Sequence, residues 1–152
     1  MSNDFETPQE LLPHRSPFLF LDEILACDKN HTVASRLFDE KDFFFKGHFP
    51  DYPVVPGVIL VETMAQCGGA GLVQAGILPH GAFFVLGTIE KAKFRNQVRP
   101  GDTVLIEVQN MRVSQIMLRQ SGIITVNGLK AAEATWMCIV GKGKETDQGS
   151  LS

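Results

Sequence analysis

The chain has 152 residues, 44% of them apolar and 20% charged, with a formal net charge of −3. That length suits one domain with its own core, and the composition excludes disordered and fibrous chains. The slight acidity gives no reason to expect nucleic acid, so any cationic docking surface has to be local.

The start, MSNDFETPQE, lacks the basic and apolar regions of a secretory signal. Three cysteines, Cys27, Cys67 and Cys138, form no C-x-x-C pair. They read as reduced thiols of a cytoplasmic protein, not as a disulfide framework or zinc site. Thr7-Pro8-Gln9-Glu10 is a capping box with proline at the first helical position, which predicts a short helix through about Leu12. FLFLDEILACDKNHTVASRLF predicts two strands around a turn at 28–31. DEKDFFFKGHFPDYPVV reads as a loop whose aromatics plug a core or an interface.

Pro56 opens an apolar run long enough to raise a membrane span. Glu62, Gln66 and Gln74 interrupt it, and glycines at 68, 69 and 71 weaken it, so a buried central helix of about 20 residues fits better. After Pro79-His80-Gly81 the period changes. AFFVLGTIEKAKFRNQV predicts a long strand ended by RPGD. In the next strand Val104, Ile106 and Val108 form one apolar face. Asn127-Gly128 marks a hairpin between the last two strands. The expectation is an α+β domain over residues 1–140: an antiparallel sheet of about six strands curled round one long helix, with a disordered tail at 141–152.

Between Pro56 and Gly76, Glu62 is the only Asp, Glu, Lys, Arg or His. A buried carboxylate is costly unless it is protonated or partnered. A carboxyl held neutral donates a proton and a neutral imidazole such as His48 accepts one, the two halves of acid–base chemistry. The first turn of the helix leaves the Gly57 amide unpaired, a donor suited to a developing oxyanion. The alternatives are structural: His48 pins the GHFPDYP loop, and Glu62 accepts bonds from loop amides. His14 and Arg15 in LPHRSPF read as loop-fixing residues, and His31 and His80 as solvated turn residues. No histidine spacing suggests a metal site.

LPHRSPFLFLDEI, FFKGHFPDYPVVPGVILVETMAQCGG and KAKFRNQVRPGDTV appear in that order. With these motifs the chain resembles the β-hydroxyacyl-acyl-carrier-protein dehydratases of the FabZ type, from about Leu11 to Val140. The resemblance implies a hot-dog fold and dimers, often assembled as trimers of dimers, with active sites shared between chains. It implies dehydration of a (3R)-hydroxyacyl thioester to the trans-2-enoyl thioester in fatty-acid biosynthesis, with His48 and Glu62 catalytic and the Gly57 amide facing the thioester carbonyl. An aspartate at position 62 would mark the sister dehydratase–isomerases. The substrate arrives on the phosphopantetheine of acyl carrier protein, with no metal or redox cofactor, and its acyl chain is expected beside Phe49, Val61 and Phe83. Ser16 and Asp51 depart from the family pattern, where tyrosine and glycine are common.

Carrier proteins of this kind are acidic. Lys91, Lys93, Arg95 and Arg99, with no acid between them, form a candidate docking patch, or else the solvated face of a strand. The rival readings are a hot-dog thioesterase and a non-catalytic carrier-protein-binding subunit. Membrane insertion and nucleic-acid binding are not expected.

Overall fold

The computed structural model describes residues 4–141. The apolar run folds as one helix, α2 (Gly57–Gln74), with Pro56 as its N-cap. Burial runs from Ile59 to Val73 with the single exception of Glu62. The helix therefore has no solvated face and needs cover all round. It ends on Gly76 at φ 79°. The Gly76 N–H returns to the Val73 carbonyl and the Ile77 N–H to that of Leu72, a Schellman closure whose left-handed residue is a glycine.

A shorter helix, α1 (Pro8–Leu11), starts on the expected capping box. Six strands provide the cover: β1 (Glu23–Cys27), β2 (His31–Leu37), β3 (Phe83–Phe94), β4 (Thr103–Val113), β5 (Met117–Val126) and β6 (Leu129–Gly141). They form one antiparallel sheet in the order β1-β2-β4-β5-β6-β3. The chain leaves the sheet after β2, runs through α2, and returns as β3 at the opposite edge. The helix consequently crosses the concave face and touches all six strands.

Val104, Ile106 and Val108 point inward and are fully buried, as their alternation predicts. Trp136 is buried on β6, while Met137 is only partly covered. Asn127 and Gly128 turn the last hairpin with φ of 52° and 79°, the left-handed pair that a type I′ turn requires. The glycines of α2 let the sheet approach closely. A Cβ at Gly69 would lie 2.6 Å from the Phe84 ring, and Cβ atoms at Gly68 and Gly71 would collide with Gln120 and Thr32.

Three boundaries differ from expectation. Phe18–Asp22 precede β1 as irregular chain, because the Gln66 side chain, not a neighbouring strand, takes the Phe20 amide. The aromatic loop contains a 3₁₀ turn at Phe43–Lys46 that buries Phe44 and Phe45. β3 stops at Phe94, after which the Arg95 amide turns to the Ala131 carbonyl. Gly141 is the last residue of β6, and residues 142–152 of the expected tail lie outside the described residues.

Candidate active site

His48 lies in the loop between the 3₁₀ turn and α2. Its Nδ1 is 2.9 Å from the Val54 carbonyl, and the Val54 amide returns to the His48 carbonyl at 2.9 Å. A carbonyl only accepts, so Nδ1 carries a proton, and in the neutral ring Nε2 is the acceptor. The Phe49 ring stacks on the imidazole, with centroids 4.3 Å apart. The imidazole lines an open cavity of about 520 Å³ with Val54, Gly57, Leu60, Phe94 and Arg95.

Gly57 opens α2 with no side-chain cap. The first helix-turn donors, including its N–H, have no intrahelical acceptor, and the helix dipole adds positive potential there. The Phe94 ring lies across the glycine, 3.0 Å from where a Cβ would stand. One cavity thus holds a base nitrogen and an unpaired amide, roofed by an aromatic ring.

Glu62 lies elsewhere. Five residues of helix separate it from Gly57, about 7.5 Å of rise and about 140° of rotation. It lines a second, narrow cavity of about 10 Å³ with His14, Gln66, Phe84, Leu86 and Cys138. Its carboxyl oxygens are inequivalent. Gln66 Nε2 donates to Oε2 at 3.0 Å and to the Phe18 carbonyl at 3.0 Å. The Phe20 amide donates to Gln66 Oε1 at 2.8 Å. A carbonyl that can only accept and an amide N–H that can only donate fix the orientation of the Gln66 side chain. Oε2 is therefore an acceptor, and Oε1 makes no hydrogen bond among the described residues. Burial pushes the Cys138 thiol up to about 12, so it stays protonated at neutral pH.

The structure thus brings His48 and Gly57 together and gives Glu62 its own cavity. The other expected residues are spread along the chain. Phe49 covers His48, whereas Val61 is buried and lines neither cavity. Phe83 begins β3, at the opposite end of the strand from Phe94; its ring lies against Gly141, and its neighbour Phe84 faces Glu62. Side chains alternate along a strand, so one residue decides the face.

Lys91 and Lys93 line a shallow depression of about 360 Å³ on the outer face of the sheet, together with Glu107 and Glu133. Arg95 bonds Glu133 at 2.7 Å. Arg99 stacks on Tyr52, 3.9 Å from its ring centroid. Glu133 thus ties Arg95 to the depression that Lys91 and Lys93 line, while Arg99 lies on the Tyr52 loop.

Sequence reasoning missed three residues. His14, read as loop-fixing, has Nε2 3.6 Å from Glu62 Oε2. Arg15 does fix the loop, through the Leu12 and His14 carbonyls. Gln66 carried a signal, since a glutamine one turn after a buried glutamate shares its helix face. Phe94 is the one aromatic in the basic stretch. Among the described residues no group of His, Cys, Asp and Glu is arranged to hold a metal ion, and no helix is long and apolar enough to cross a membrane.

The FabA-like domain family matches residues 12–135. The chain is 39% identical to the 3-hydroxyacyl-acyl-carrier-protein dehydratase FabZ of Enterococcus faecalis, over 88% of this chain and 94% of that one. It is 38% identical to the protein of the same name in Bacillus thuringiensis, over 93% and 99%. Among solved structures it is similar to the dehydratase heterocomplex ApeI:P of Xenorhabdus doucetiae, with a TM-score of 0.76 at 16% identity, covering 97% of each chain. It is also similar to a hypothetical thioesterase of Streptococcus pneumoniae, with a TM-score of 0.58 at 14% identity, covering 80% of this chain and 87% of that one. These last two likenesses bear on the fold alone, which is the hot-dog fold.

Proposed function

The chain belongs to the FabA-like domain family and, within it, to the FabZ-type 3-hydroxyacyl-acyl-carrier-protein dehydratases, and we propose how its own residues carry the reaction. The observation behind this assignment of roles is the pairing of a free His48 Nε2 with the unpaired Gly57 amide in one cavity. That pairing suits removal of a proton next to a thioester carbonyl.

His48 Nε2 accepts the C2 proton of the (3R)-hydroxyacyl thioester. The C–H electrons move toward the carbonyl, and the growing oxyanion is met by the Gly57 N–H and the helix dipole. Glu62 Oε1 gives its proton to the C3 hydroxyl, which leaves as water as the trans C2=C3 bond forms. The remaining imidazolium and carboxylate recover their starting states by proton exchange with solvent. Nothing is oxidised or reduced, so the steps need no redox cofactor.

His48 and Glu62 line separate cavities, and β3 is an exposed edge of 12 residues. We therefore assign the acid to a second copy of the chain, with paired β3 edges bringing one protomer's His48 to its partner's Glu62. Trimers of such dimers follow the family resemblance. The substrate rides on the phosphopantetheine of acyl carrier protein, in the cytoplasm. Of the four candidate cations, Arg95 lines the His48 cavity and Arg99 lies beside its loop, so these two stand closest to an arriving carrier.

Incubation with a (3R)-hydroxyacyl thioester tests the reading. A rise in enoyl-thioester absorbance with no free thiol is expected. Release of free thiol and free acid would instead make the protein a thioesterase.

A further inference from the structure

His14 is half-buried beside Glu62, with its side chain 18% exposed. A histidine that serves only to pin a loop uses its ring nitrogens for hydrogen bonds, as buried polar atoms do. Here Nδ1 is buried with no hydrogen-bond partner among the described residues. Among the described residues the charged partner of the ring is Glu62, whose Oε2 stands 3.6 Å from Nε2. The loop itself is held by other means: Arg15 bonds its carbonyls, and Gln66 bonds Phe18 and Phe20.

We propose that His14 is a positioning residue for Glu62, donating from Nε2–H to Oε2 as the carboxyl gives up its proton from Oε1. The inference rests on Glu62 being the acid of the reaction. Before proton transfer, 3.6 Å is too long for a hydrogen bond. Oε2 already accepts from Gln66, which leaves Oε1 to carry the proton. As that proton leaves, negative charge spreads onto Oε2. The imidazole N–H then closes on it, and the bond becomes charge-assisted. An interaction that strengthens only as charge develops raises kcat and leaves substrate binding alone.

The test compares two replacements at position 14 in the full-length protein. His14→Phe fills the space without a donor, and His14→Gln places a neutral N–H at a similar reach. Kinetics with a hydroxyacyl thioester should show kcat down ~10-fold in His14→Phe with KM nearly unchanged, the size expected for one bond to a developing charge. His14→Gln should recover most of that loss. Should His14→Phe fail to fold, His14→Leu supplies the donorless variant. Wild-type kcat without the donor, or equal losses with and without it, would overturn the proposal.

A second background separates this inference from its premise. Adding His14→Phe to Glu62→Gln should lower turnover no further, since His14 acts through the carboxyl. A further ~10-fold fall would show His14 acting by another route and would overturn the positioning role. Near wild-type turnover in Glu62→Gln alone would instead remove Glu62 as the acid, and His14's role with it.

Discussion

The two halves of the site are built on opposite principles. The His48 half is open and made of loop, and its imidazole is oriented by one backbone carbonyl at 2.9 Å. The Glu62 half is narrow and made of core, and its carboxyl is oriented by a glutamine that is itself 1% exposed. The difference follows from what each group must do. In the proposed reaction the base meets a substrate arriving from outside, and His48 lines a cavity of about 520 Å³. In the proposed reaction the acid has to hold its proton on a chosen oxygen, and a narrow pocket limits competition from water. One chain carries both halves without joining them.

The largest effects should come from breaking the halves separately. His48→Ala and Glu62→Gln should each lower turnover by ~10²–10⁴-fold. Near wild-type turnover in a folded variant would remove that residue from the reaction. Co-expression of the two variants under different tags then tests whether the halves meet between chains. A purified heterodimer with a shared site regains one site with both groups, and its activity should stand well above either parent. A heterodimer no more active than its parents would show that each site draws on a single chain.

The contrast in packing should appear in stability. Gly69→Ala sets a Cβ 2.6 Å from the Phe84 ring beside the Glu62 cavity. Overpacking there should cost about 1–3 kcal/mol, read from denaturant midpoints. Gly47→Ala, next to His48, meets nothing within 4 Å. Its cost should stay within about 0.5 kcal/mol. Equal losses at the two positions would undo the distinction between a core-built and a loop-built half.

Gly57→Ala probes the oxyanion end. Its Cβ would stand 3.0 Å from Phe94 and crowd the approach to the amide. Turnover should fall ~10-fold or more, since an oxyanion donor is worth at least that much. Phe94→Ala should restore part of the loss, and no restoration would mean that the clash lies with the substrate itself.

The smallest effects concern the carrier protein. Arg95→Glu, at the His48 cavity, should raise KM for carrier-linked substrate several-fold and spare a substrate on a small thiol. Lys93→Glu, on the outer face, should change it less. The Arg95 effect should shrink with added salt, because exposed charges are screened over ~8 Å at physiological ionic strength. A larger effect at Lys93 would move the docking surface to the outer face of the sheet.

Local pattern was enough to read most of the fold. Period-two alternation at Val104, Ile106 and Val108 named the inward face of β4. Asn127-Gly128 named the last hairpin, and Thr7-Pro8-Gln9-Glu10 the first helix start. These signals are legible because each depends on neighbours a few residues away. The lone charge of a buried helix likewise singled out Glu62, since desolvation makes an unexplained carboxylate expensive wherever it lies. Register carries no such local mark. The end of β3 at Phe94 takes Arg95 to the His48 cavity while Lys91 and Lys93 stay on the outer face, and the choice of Phe84 over Phe83 turned on the same strand. The contact between His14 and Glu62 spans 48 residues of chain, and only the folding of the loop onto α2 creates it. The sequence by itself determined the elements, the covering of the helix and which residues have the chemistry. The tertiary structure decided which of them meet, because side-chain proximity across distant segments depends on pairing register and helix rotation, and no local pattern encodes either.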